Sequence, residues 1–125
     1  MNIELGEVSI TVDEKIIFVK SIGAFNALGT KKYTDGIKTI VNNFQGQGFS
    51  ILINNLEKSG STPEAYQALD KFNKWLTNQN LIAKAMVITV KKGMHLVNTP
   101  ARINNQQNKL FDNEGDAIKW LESFS

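Results

Sequence analysis

The chain has 125 residues, 42% apolar and 21% charged, with 14 Lys and Arg against 12 Asp and Glu, one His and no Cys. That length predicts one domain over residues 1–125, with a core large enough to need no metal or disulfide staple. The lack of cysteine excludes a disulfide framework and thiol chemistry, and a net charge of +2 is too even for a dedicated nucleic-acid binder.

In chain order, the stretch Met1–Lys15 carries acids early and no apolar run, so it does not fit a signal peptide. Val8–Val12 alternates apolar and polar residues as a half-buried strand does. Asp13-Glu14-Lys15 is a polar turn, and Ile16–Ile22 is a second strand rich in β-branched residues. The short connection predicts an antiparallel hairpin. Gly23–Gly29 is expected to be a loop. Tyr33, Ile37, Ile40, Val41 and Phe44 then mark one face of a helix from Thr30, its predicted cap, to Phe44. Gly46-Gln47-Gly48 stops it.

Phe49–Leu56 is an apolar run bounded by glycine, the pattern of a strand buried on both faces. Glu57–Ser61 is expected to be a loop. Thr62-Pro63-Glu64 begins a helix by rule, with a cap, a proline in the first turn and an acid at the positive end. Ala65, Leu69, Phe72 and Leu76 form its buried stripe, ending near Asn78. Ala83–Val90 is another buried strand. Thr99-Pro100 repeats the cap and proline and predicts a short helix to Gln106. Leu110-Phe111 is a brief strand. Asn113 caps a last helix, with Ala117, Trp120, Leu121 and Phe124 on one face. Strands alternating with helices predict right-handed crossovers and a mostly parallel sheet. The apolar stretches Ile16–Val19 and Ala85–Val90 fall far short of the roughly 20 residues of a membrane span. The expected setting is the cytoplasm.

Signatures of catalysis are sparse. His95 has no partner at ligand spacing, and neither a dinucleotide fingerprint nor a P-loop occurs. The sequence implies no cofactor and no metal. Glu114 with Asp116 suits the start of a helix better than acid–base work. In open parallel sheets, ligands bind outside the carboxyl ends of the strands. Three segments should meet there: Gly23–Gly29, Asn55–Thr62 and Lys91–Asn98. The candidate binding residues are therefore Ser59, Gly60, Ser61 and Thr62, at a helix N-terminus that favours an anion, together with Lys91, Lys92 and His95. The plainer reading makes Thr62 a cap and Ser59 and Ser61 turn residues. An enzyme would require Lys91, Lys92 or His95 to meet Ser59 or Ser61 in one pocket, and the sequence favours a binding protein instead. Asn occurs 14 times. Asn54-Asn55 is expected to face the strand-end crevice, and Asn104-Asn105 to mark a surface segment.

The order of elements, the helix start Gly60-Ser61-Thr62-Pro63-Glu64-Ala65 and the ending Leu110-Phe111-Asp112…Ala117-Ile118-Lys119-Trp120-Leu121 resemble the SpoIIAA-like branch of STAS domains over nearly the whole chain. The resemblance implies an α/β fold: a mixed, mostly parallel sheet of four to five strands, an N-terminal antiparallel hairpin and about four helices. It implies a non-enzymatic regulatory or protein-interaction module in a bacterial cytoplasm. Anti-sigma-factor antagonists of this fold are switched by phosphorylation of a Ser at the start of the second helix, in a pattern close to Asp-Ser-Ser-Gly. Here the matching stretch is Lys58-Ser59-Gly60-Ser61-Thr62-Pro63, with no Asp and with Pro in the first turn. The branch also resembles CRAL-TRIO domains in topology. The alternative is thus a carrier or sensor of a small hydrophobic or anionic ligand, in a pocket near Tyr33, Phe44, Phe72 and Trp75. A homodimer through the edge strand Val8–Val12 is a further expectation, with Glu7 and Asp13 opposing it.

Overall fold

The computed structural model describes residues 7–89, 102–103 and 106–124. β1 (Glu7–Asp13) and β2 (Ile16–Phe25) form the expected hairpin. They are followed by α1 (Ala27–Asn43), β3 (Phe49–Ser61), α2 (Pro63–Thr77), β4 (Leu81–Val87), β5 (Arg102–Ile103), β6 (Gln106–Phe111) and α3 (Glu114–Glu122). The strands make one sheet in the order β1-β2-β3-β4-β6-β5. β2, β3, β4 and β6 run parallel, and β1 and β5 join antiparallel at the two edges. The α/β architecture is therefore the one the sequence implies.

Local boundaries differ in three places. β2 and α1 consume the expected Gly23–Gly29 loop, because Asn26, not Thr30, caps α1. β3 continues through the expected loop Glu57–Ser61. Arg102–Ile103 is a strand where a helix was expected, and Thr99 and Pro100 lie outside the described residues. Asn104-Asn105 lies outside them as well. Three helices are described.

Two apolar layers sandwich the sheet. Ile17, Val19, Ile51 and Ile53 meet Tyr33, Ile37 and Val41 of α1 and Phe72 and Leu76 of α2. On the other face, Leu52, Ala83, Ala85 and Val87 meet Ala117 and Leu121 of α3. Small residues on both sides of that contact let the helix lie close to the strands, with Phe111, Trp120 and Phe124 sealing its margin. Because both faces of β3 are covered, residues 49–54 are all buried, which explains the unbroken apolar run there. β2 keeps its outward positions only partly covered, so it alternates. The rings expected near a ligand pocket pack on neighbours in the first layer: Tyr33 on Phe25 and Phe72, Phe72 on Trp75, and Phe44 on Phe49.

Lys84 stands half-buried on β4, with Nζ 3.3 Å from Asn73 Oδ1. Burial disfavours its charged form and lowers its pKa to about 8. The unfolded chain then holds this proton to higher pH than the folded one, so stability should rise between about pH 8 and the ordinary lysine range near 10.5. Urea unfolding across that window should show the rise, and Lys84→Met should flatten it. In the core, Ile37 is 0% exposed, so Ile37→Ala should cost about 2–5 kcal/mol with the urea m-value unchanged.

Candidate functional site

β4 pairs with β3 as far as Asn54, whereas β2 and β3 continue together to Ala24↔Gly60 and Phe25↔Ser61. The two strands thus project as a ribbon at the carboxyl end of the sheet. Its register slips twice. Lys20 and Ile22 pair with Asn54 and Glu57, and Gly23 and Ala24 with Lys58 and Gly60. Each slip places one extra residue on β3, a bulge that increases local twist. At the first bulge, Asn54 Oδ1 accepts the Leu56 N–H at 3.0 Å. At the second, Gly60 has φ +144 with open space around any added Cβ, a backbone that favours glycine.

Asn54 does not face the strand-end crevice as expected. It is buried toward α3, where Nδ2 donates to Glu114 Oε2 at 2.6 Å. Glu114 therefore does more than oppose the helix dipole, because it ties the start of α3 to the root of the ribbon. On the same face, Glu57 sits 2.9 Å from Lys20 and raises the Lys20 pKa, chiefly by their hydrogen bond.

The ribbon ends in two helix starts side by side. Phe25 and Ser61 are paired, so the next residues, Asn26 and Thr62, are neighbours, and each caps a helix. Asn26 Oδ1 accepts the Gly29 N–H at 2.9 Å, and Thr62 Oγ1 accepts the Ala65 N–H at 3.2 Å. The Thr62 N–H donates to the Phe25 carbonyl at 3.0 Å, locking the two termini together. Side chains of the first turns project outward: Leu28 of α1 and Tyr66 of α2 are each 54% exposed.

Of the expected binding residues, Ser59, Gly60, Ser61 and Thr62 lie together here, on the end of β3 rather than in a loop. Ser59 is exposed, whereas the Ser61 hydroxyl is buried without a hydrogen-bond partner, as is that of Thr30. Lys91, Lys92 and His95 lie outside the described residues. Among the described residues, no cluster of His, Cys, Asp or Glu could hold a metal ion, and no helix is long and apolar enough to cross a membrane. Asn26, Leu28 and Tyr66 escaped the sequence reading. Gly23 and Gly29 made the first segment look like a loop, and nothing in one sequence tells an exposed Leu from a buried one.

No family model and no curated protein matches the chain. Solved structures do. An uncharacterised protein of the DUF3478 family from Shewanella loihica, described as having a SpoIIAA-like fold, matches with a TM-score of 0.77 and 15% identity, covering 97% of this chain and 98% of that one. The chain has the SpoIIAA-like fold. An anti-sigma factor antagonist from Mycobacterium paratuberculosis matches with a TM-score of 0.64 and 11% identity over 94% of each chain. The unphosphorylated anti-sigma factor antagonist SpoIIAA gives 0.62 and 11% over 94% of this chain and 97% of its own. In this fold the paired helix starts stand at the carboxyl end of the β2–β3 ribbon.

The caps and the unpartnered hydroxyl make opposite predictions. Thr62→Ala should cost about 1 kcal/mol of stability by losing the cap. Ser61→Ala removes a buried group that satisfies nothing and should be neutral or slightly stabilising in urea unfolding.

Proposed function

We propose that the chain is a non-enzymatic protein-interaction module of regulatory type, working in the cytoplasm, and that its contact surface is the end of the β2–β3 ribbon. The observation that carries this reading is the pair of apolar side chains Leu28 and Tyr66, both 54% exposed beside Ser59–Thr62. An aromatic ring and a leucine flanking polar backbone suit the centre of a protein contact, where aromatic anchors dominate binding energy. The two cap-locked termini hold that surface rigid, which lowers the entropy lost on binding. The anti-sigma factor antagonists among the structural neighbours, named for action on another protein, support the same reading.

Site-specific photo-crosslinking in the source cell tests it. A photoreactive phenylalanine analogue at position 28 or 66 should give the same adduct of defined mass. The analogue at exposed Asn42, in the last turn of α1, should not. Adducts of equal yield from position 42, or none from 28 and 66, would overturn the assignment.

A further inference from the structure

We propose that the free edge of β1 is a second, independent docking site, built to accept an extended peptide segment with a basic residue at each end. The argument starts from the backbone. The Ser50 N–H donates to the Lys15 carbonyl. A strand residue directs its N–H and C=O to the same side, and the side alternates along the chain. Lys15, Ile17 and Val19 therefore face β3, and Ile16, Phe18 and Lys20 face β1. Their β1 partners are Asp13, Thr11 and Ser9. Those residues complete the ladder to β2, and Val8, Ile10 and Val12 turn their N–H and C=O groups outward. No described residue takes these groups up.

An edge of this kind is normally blunted by Lys, Pro or a bulge. β1 has none of them between Glu7 and Asp13. Its side chains also specify what fits. Val8, Ile10 and Val12 share the face that packs toward α1, where Ile10 Cδ1 crowds Gly36. Val12 remains 46% exposed at the margin. Ser9 and Thr11 lie on the other face, along a groove of about 230 Å³ that also reaches Phe18, Lys20 and Glu114. A strand added to β1 would cover the valines with apolar residues on one face and leave small polar residues in the open groove on the other.

Charge selects the occupant. Glu7 and Asp13 close the two ends of the edge on the Ser9–Thr11 face, and both are exposed. A second copy of β1 centred on Ile10 would set Glu7 against Asp13 at each end, and like charges directly opposite are destabilising. A segment with Lys or Arg at each end meets opposite charge instead. Main-chain hydrogen bonds would supply affinity and the end charges specificity, as in other β-augmentation complexes.

The probe is the end-blocked heptapeptide Lys-Val-Thr-Val-Thr-Val-Lys, titrated into the full chain with amide hydrogen exchange followed by NMR. Exchange at Val8, Ile10 and Val12 should slow about tenfold at a peptide concentration about ten times its Kd. Ser9 and Thr11, already bonded to β2, should change little. The same peptide with Glu at both ends should give no protection, and the variant carrying Glu7→Lys and Asp13→Lys should reverse that preference. Unchanged exchange at the three amides, or equal protection by the two peptides, would overturn the proposal. So would protection that rises with protein concentration without peptide, because that would assign the edge to a second copy.

Discussion

The parallel pairing of β2 with β3 sets both the core and the position of the two helix starts. It begins at Ile16↔Ser50 and reaches Phe25↔Ser61. Along its first half it builds the core, because Ile17, Val19, Ile51 and Ile53 present one continuous apolar face to α1 and α2. Along its second half it leaves the rest of the sheet behind and delivers two helix starts to one place. Because the strands are parallel and in register at their ends, Asn26 and Thr62 must be neighbours. The geometry of the candidate surface thus follows from a ladder of backbone bonds rather than from side chains chosen one by one.

Two bulges and a buried amide mark the place where the pairing leaves the sheet. β3 absorbs two extra residues, one relieved by the Asn54 side chain and one by Gly60. Asn54 is the joint between the halves of the molecule. It is buried, it satisfies the bulge through Oδ1, and it anchors the start of α3 through Nδ2 to Glu114. A buried amide with both ends engaged is favourable only while both partners stay in place. The core layer, the root of the ribbon and the last helix are therefore connected through this one side chain. The edge of β1 lies across β2 from Asn54, and the groove beside it reaches Glu114.

Much of the fold was legible in the sequence. The apolar run Phe49–Leu56 betrays a strand covered on both faces. Thr62-Pro63-Glu64 announces a helix start, and Asn113 another, since cap chemistry is local and needs no tertiary context. The alternation in Val8–Val12 and the short turn after it give the hairpin. What the sequence hid has a common cause. The ribbon residues 57–61 are polar or glycine, and 23–25 open on a glycine, because one face of the ribbon meets solvent and β3 bends at bulges. Their strand character comes from pairing with each other, a nonlocal interaction that composition does not reveal. In the same way, Asn26 lay inside a segment punctuated by Gly23 and Gly29. The exposure of Leu28 and Tyr66 follows from where two helices begin, and the role of Asn54 from a residue sixty positions away.

The contact surface we propose is the pair of helix starts at the end of the β2–β3 ribbon. Mapping NMR chemical shifts of the labelled chain during titration with the purified partner tests it most directly. The largest changes should fall on Asn26–Thr30 and Ser59–Tyr66, with the core of the sheet unmoved. Changes centred instead on the opposite end of the sheet, at Gly46–Gly48 and Asn78–Asn80, would contradict it.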